Sequence, residues 1–209
     1  MKIKFIILSL LVTFCSYSQL DKKTWLVGGT GSFNSYKQDE TFTYQYSGDY
    51  VRIHSDVKEF ELSPKVGLFI IDKLAVGLSS SFTSSKSKYS AITVNAYSGS
   101  YDEYQFSVGP FVRYYFLKKE KPFNILTEAN YEFGNLKYLS SHSGDNEKGS
   151  INKFSFLAGP ELFFNSAIGM EVLVGYKMYN NKKDNPNKTS AVHDGFQVSI
   201  GFQIHLEKL

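Results

Sequence analysis

Carboxylates and basic side chains recur in this sequence within stretches that otherwise alternate between apolar and small or polar residues. They are Glu59, Glu61, Lys65, Arg113, Glu128, Glu132, Lys153, Glu161, Glu171 and Lys177. Side chains of these types can act as acids and bases in catalysis, and two carboxylates about 5 Å apart form the apparatus of retaining glycosidases. The alternative is a set of ion pairs with a structural role.

Glu161 and Glu171 are the best candidates for a close pair of carboxylates. A short turn between the segments that carry them would place the two side chains nearly opposite each other. Neighbouring carboxylates ionise together only when a cation lies between them, and Lys65, Arg113 or Lys177 could supply it. A catalytic pair would also need an open cleft for its substrate.

Histidines are the other residues that could carry chemistry. His54, His142 and His193 fall in segments that the pattern indicates are loops, each close to an aspartate. An enzyme acting on lipid at the rim of a barrel would need such a histidine beside an acid and a serine. The nearby serines are Ser140, Ser141, Ser143 and Ser190. Because these segments are rich in serine throughout, their proximity in sequence is expected by chance.

Metals and cofactors have no binding pattern in the sequence. No two histidines have the i, i+4 spacing of a helical metal site, and the glycines at 28, 29 and 31 are followed by no helix and no Lys-Ser/Thr pair. We predict no catalytic, metal-binding or cofactor-binding residue.

The elements that must position these side chains are long β-strands, because apolar residues alternate strictly with small or polar ones. The last strand, Gly195–Leu206, has one wholly apolar face. The others are Trp25–Tyr36, Lys58–Ile70, Leu74–Thr83, Tyr104–Phe116, Phe123–Asn135, Asn152–Phe164 and Ile168–Tyr179. Most run about 10 to 13 residues, whereas strands of soluble proteins cluster near 5 to 6. A tilted strand of that length matches the apolar band of a membrane barrel.

Connections between the strands alternate in length, which is typical of an up-and-down membrane barrel. Short turns lie near 71–73, 117–122 and 165–167. The longer connections, 37–57, 84–103, 136–151 and 180–194, are rich in serine, asparagine, lysine and aspartate. The pattern therefore predicts an all-β fold: an eight-stranded antiparallel barrel with short periplasmic turns and four longer external loops. Pro64, Pro110 and Pro160 recur once per hairpin, and we predict a bulge or kink at each.

A barrel of eight strands encloses only enough room for side chains, so the charged residues on its inner face would fill the lumen. We predict a structural interior network there. Its members are Lys65, Arg113, Glu128, Glu132, Glu161, Glu171 and Lys177.

Residues 1–18 of the 209-residue chain have the form of a secretory signal: a basic start, an apolar run from Phe5 to Phe14, and small residues Ser16 and Ser18 before a cut. The run is too short to span a membrane. A lipoprotein signal ending at Cys15 is the competing interpretation. We predict a mature domain of residues 19–209 that is nearly neutral, lacks cysteine and has no basic footprint for nucleic acid.

Three stretches resemble the small outer-membrane β-barrel proteins of the OmpA/OmpX-like type, also called porin-family barrel domains: LSPKVGLFIIDKLAVGL from Leu62 to Leu78, SVGPFVRYYF from Ser107 to Phe116, and FQVSIGFQIHL from Phe196 to Leu206. The resemblance covers nearly all of residues 25–206. It implies a barrel in the outer membrane of a Gram-negative bacterium, with outer-membrane lipid and the barrel-assembly machinery as partners. It implies no catalytic residue.

The function expected on these grounds is structural or interactive, with loops displayed outside and a lumen plugged by polar side chains. A lipid-modifying enzyme at the rim and a narrow pore for small solutes are the alternatives.

Overall fold

The computed structural model of the protein describes residues 20–43, 50–92, 97–140, 146–183 and 190–206. They form one closed barrel of eight strands, each antiparallel to its neighbours in sequence, with the last strand paired to the first. The predicted eight-stranded antiparallel barrel is therefore confirmed. Within these ranges no helix is long and apolar enough to cross a membrane. The predicted signal at 1–18 and His142 lie outside the described residues.

The strands are longer than the alternation predicts, at 16 to 22 residues each. Their bounds are β1 Trp25–Thr43, β2 Tyr50–Ile71, β3 Leu74–Ile92, β4 Tyr97–Tyr115, β5 Phe123–Ser140, β6 Asn146–Phe163, β7 Ile168–Lys183 and β8 Ser190–Leu206. The segments predicted as external loops are thus taken up largely by strand. Only 44–49, 93–96, 141–145 and 184–189 separate the strands at this end, which we call the upper end.

The lower end carries the connections predicted as short turns. Asp72 and Lys73 alone join β2 to β3, with Lys73 at a φ of 67°. The connections 116–122 and 164–167 join the next two pairs of strands. All three lie where the sequence places them.

Large apolar side chains cover the outside of the barrel as a belt. Its upper margin is formed by Phe33, Phe60, Phe82, Tyr104, Phe133, Phe154, Met178 and Phe196, and its lower margin by Trp25, Ile70, Leu74, Phe116, Phe123, Phe164, Ile168 and Leu206. The first outward positions above it are polar on every strand: Ser35, Lys58, Ser84, Asp102, Asn135, Asn152, Asn180 and Asp194. The belt is about ten residues tall on each strand, the height that a bilayer's hydrocarbon core requires.

The recurring prolines interrupt pairing without shifting it. Pro64, Pro110 and Pro160 all face outward, and each lies where the pairing with the next strand omits two residues and then resumes in the same register. The bulge predicted at each proline was wrong. A missing N–H removes one ladder bond, and the flanking pairs hold the register; the one register shift among these strand pairs lies between Phe69 and Ile71.

Closure of the barrel is incomplete at its upper end. β1 pairs with β8 only from Trp25, opposite Leu206, to Gly31, opposite Ile200. β1 continues to Thr43 alongside β2, and β8 begins at Ser190 alongside β7. The described wall is therefore continuous at the level of the belt and open between β1 and β8 above it.

Candidate functional site

All the charged residues of the predicted interior network point into the barrel. Lys65, Arg113, Glu128, Glu132, Glu161 and Glu171 are buried, and Lys177 is nearly so. The structure divides them into two clusters, one above the other. Alternation places them inside: each occupies the polar phase of a strand whose other phase forms the belt.

Arg113 is the centre of the lower cluster. Its guanidinium donates from Nη1 and Nη2 to the two oxygens of Glu171, over 2.7 and 3.1 Å, and from Nε to Glu128 Oε2 over 2.8 Å. Lys65 Nζ donates to both oxygens of Glu128, over 2.6 and 2.9 Å. Such forked bonds to carboxylates are among the strongest and most directional in proteins.

Glu161 and Glu171 lie directly opposite each other on β6 and β7. The cation that two such carboxylates require is Arg113, whose Nη1 is 3.8 Å from Glu161 Oε2. Gly169 makes room for the pair, because a Cβ at this position would come within 2.1 Å of Glu161 Oε1.

Sequence reasoning omitted several members of the lower cluster. The Tyr115 hydroxyl donates to Glu161 Oε2 over 2.7 Å, His205 Nε2 lies 2.9 Å from Glu161 Oε1, and Gln203 donates to Glu171 over 2.9 Å. The signal was present, since His205 and Gln203 occupy the polar phase of β8. The cluster holds Glu128, Glu161 and Glu171 against the fixed cations Lys65 and Arg113, and His205 lies where one further positive charge would balance the set.

The upper cluster is built around two carboxylates. Glu61 pairs with Lys177 and with Lys153 Nζ at 3.5 Å, and accepts a hydrogen bond from Thr83 over 3.0 Å. Glu132 accepts instead from neutral groups: Ser79 at 2.8 Å, Ser81 at 2.6 Å, Ser107 at 2.7 Å and Asn130 at 3.2 Å. A cavity of about 30 Å³ between the clusters has room for one or two water molecules.

An apolar layer closes the lower end of the barrel beneath the ion pairs. Leu20 is fully buried there. It packs in one cluster with Leu26, Phe69, Ala75, Phe111, Tyr115, Leu126, Leu157, Phe163 and Leu173. The sequence did not indicate this layer, because its members come from inward positions spread over many strands and from a residue that precedes β1.

A polar clasp fixes the segment that carries Leu20. The backbone N–H of Lys22 donates to Asp72 Oδ1 over 2.9 Å, Lys119 Nζ donates to Asp72 Oδ2 over 3.1 Å, and Lys119 also pairs with Asp21. The bond from the Lys22 backbone, followed by the bond from Lys119, lowers the pKa of Asp72 below its ordinary value. The bonds to Asp21 and then to Asp72 raise the pKa of Lys119.

The histidines do not form the constellation that a rim enzyme would need. The prediction that His54 and His193 lie in loops was wrong: His54 is in β2 and its Nδ1 lies 2.5 Å from Asp39 Oδ1, while His193 is in β8 and stacks on Tyr179. Ser190 donates to Asn180. Among the described residues, no group of three or more histidine, cysteine or acidic side chains is arranged to hold a metal ion.

Solved structures show where else this arrangement occurs. The chain is similar to the outer membrane protein OprG from Pseudomonas aeruginosa, with a TM-score of 0.55 and 11% identity over 92% of this chain and 99% of that one. The chain has the fold of this barrel.

Two further barrels match less closely. Neisserial surface protein A matches with a TM-score of 0.49 and 14% identity, covering 87% of this chain and 96% of that one. The N-terminal β-barrel domain of Pseudomonas aeruginosa OprF matches with a TM-score of 0.41 and 12% identity, covering 88% and 98%. No protein-family model matches the sequence, and neither does any curated protein.

Proposed function

We propose that this protein is a barrel of the outer membrane that displays its upper hairpins at the cell surface and has a structural or interaction role without catalysis. The observation that carries the proposal is the inverted distribution of side chains: apolar residues face outward as a belt, and ion pairs fill the inside. A closed barrel satisfies its own backbone hydrogen bonds in lipid. No water-soluble barrel of this size gains from such a surface.

The predicted export signal and partners belong to this proposal. Residues 1–18 direct export and are removed, the barrel-assembly machinery inserts residues 19–209, and outer-membrane lipid surrounds the belt. The polar positions above the belt and the strands that continue past it support display on the upper side.

The ion pairs and the apolar layer beneath them support a plugged lumen over a narrow pore. The separation of His54 and His193 from any serine and acid pair supports a role without catalysis over a lipid-modifying enzyme.

Cysteine labelling on intact cells tests the orientation and the display. The only cysteine, Cys15, lies in the proposed signal, so a single introduced cysteine is the only thiol of the mature chain. Lys86→Cys places it on the outward face above the belt, and the control Lys118→Cys places it at the lower end. A bulky polyethylene-glycol maleimide that porins exclude is expected to label Lys86→Cys on intact cells, and Lys118→Cys only after lysis. Labelling of both sites only after lysis would overturn the proposal.

A further inference from the structure

The gap between β1 and β8 is more than an irregularity in pairing. We call it the slot, and define it as the space between residues 32–43 of β1 and 190–199 of β8. A cavity of about 650 Å³ occupies it, a volume within the range of small-molecule sites.

Both faces of the barrel wall contribute to this cavity. Tyr179, His193 and Gln197 reach it from the inner face, whereas Lys37 and Phe196 reach it from the outer face. Side chains of opposite faces can line one space only where the wall is open. A molecule in the slot would therefore contact the lumen and the surroundings of the barrel together.

The slot is vacant on the side of β8. A Cβ built at Gly195 would meet no atom within 4 Å, and Phe196 beside it is 90% exposed. The wall behind is firm: the His193 ring stacks on the Tyr179 ring with centroids 4.9 Å apart, and Lys177 Nζ lies 5.8 Å from the centre of the same ring.

The height of the slot selects the kind of ligand. Phe33 and Phe196 lie at its base and at the upper margin of the belt, where the acyl chains of a bilayer end and the head groups begin. The lining above them is polar and carries both signs of charge: Lys37 and Lys177 against Glu59 and Asp194. This combination complements an amphiphile whose head carries one charge of each sign.

We propose that the slot binds a single-chain zwitterionic lipid, a lysophospholipid, taken from the surrounding membrane. Its acyl chain lies against Phe33, Phe196 and Val198 on the outer face, and its head group enters between β1 and β8 to meet Lys177, Tyr179 and His193. Lys177 and Gln197 also border the small inner cavity, which has room only for water, so the lipid is bound and does not pass through the barrel.

The proposal rests on membrane insertion, which is part of the proposed function. The barrel is reconstituted in phosphatidylcholine vesicles with a trace of lysophosphatidylethanolamine that carries a photoactivatable diazirine on its chain. After illumination, labelled peptides are identified by mass spectrometry. We expect at least tenfold more label on peptides from 32–43 and 190–200 than on belt peptides around Phe133 and Phe154.

Filling the slot supplies the matched control. Gly195→Phe introduces a bulky side chain into vacant space and is expected to reduce the label on the slot peptides at least tenfold, whereas Gly195→Ala leaves it nearly unchanged. Even labelling around the belt, or slot labelling that Gly195→Phe does not reduce, would overturn the proposal. A barrel that fails to float with the vesicles would instead contradict the proposed function.

A disulfide staple tests the same point without filling the space. Continuing the β1–β8 register upward places Asn34 opposite Gln197, so the double variant Asn34→Cys with Gln197→Cys closes the slot when oxidised. Label is expected on the reduced variant and absent from the oxidised one. A staple across the existing pair Lys137 and Lys148, far from the slot, should leave labelling unchanged in both states.

Discussion

Arg113 is the residue on which the interior depends most, because it is fully buried and contacts Glu128, Glu161 and Glu171. Removing one partner of a buried ion pair leaves an uncompensated charge, which typically costs about 3–5 kcal/mol. Arg113→Ala is therefore expected to lower the free energy of unfolding by about that amount. Urea titration of the barrel in lipid vesicles, followed by gel mobility, measures it.

The control for this prediction is Arg52→Ala, at an exposed position of β2, which should change the free energy of unfolding by less than about 0.5 kcal/mol. Arg113→Lys should fall between the two, since an ammonium cannot make forked bonds to two carboxylates. If Arg113→Ala unfolded at the same urea concentration as the wild type, the ion pairs would not hold the interior together.

Asp72 gives the lower clasp a dependence on pH. Its pKa is lowered in the folded barrel, so its contribution to stability is present above the pKa of the unfolded carboxyl, roughly 3.9. That contribution is lost as the pH falls through the folded pKa. The urea midpoint of the wild type should exceed that of Asp72→Asn at about pH 6, and the two should converge at about pH 2. A difference that stayed constant over this range would contradict the role of the ionised carboxylate.

The sequence predicted the charged residues of the interior better than the neutral ones. A charge such as Glu161 or Arg113 within an apolar alternating stretch has one physically acceptable position, inside the barrel. Tyr115 and His205 bear side chains that suit either the lumen or the interface, so only the three-dimensional partners of Glu161 identify their role. Leu20 precedes the first strand, where no periodicity could indicate that it is buried.

Individual strands carry the distinction between belt and lumen, and a charge placed on the belt tests it. Val174 faces outward near the middle of β7 and is 53% exposed. Arginine at the midplane of a membrane barrel costs about 2–4 kcal/mol, falling to about 0–1 near the interfaces. Val174→Arg is therefore expected to destabilise the folded barrel in vesicles by about 2–4 kcal/mol, measured by urea titration.

Asn135→Arg is the matched substitution, because Asn135 is the first outward residue above the belt on β5. It should cost no more than about 1 kcal/mol. Equal effects of the two arginines would mean that lipid does not contact the belt.

The ends of the strands escaped prediction for a reason that belongs to this scale. Alternation of apolar and polar residues identifies a strand only where one face meets lipid or a core. Above the belt both faces of β3 are polar, as at Ser84, Ser85, Lys86 and Ser87, so the pattern disappears while the strand continues to Ile92.

The whole molecule combines a continuous wall, a filled interior and an apolar layer beneath it. Such a barrel leaves no continuous water path at its lower end. In a planar lipid bilayer the protein is therefore expected to give no stepwise conductance. Regular steps of constant size from purified barrel, absent from bilayers that receive only detergent, would contradict a closed lumen and favour a pore.

The central claim is that the chain is a closed barrel residing in the outer membrane, and gel mobility tests it most directly. A closed sheet has no edge from which to unravel, so the barrel should keep its fold in dodecyl sulfate until it is heated. We predict that protein extracted from the outer-membrane fraction migrates faster unheated than boiled. Recovery as a soluble protein of the periplasm, with the same mobility before and after boiling, would contradict the account.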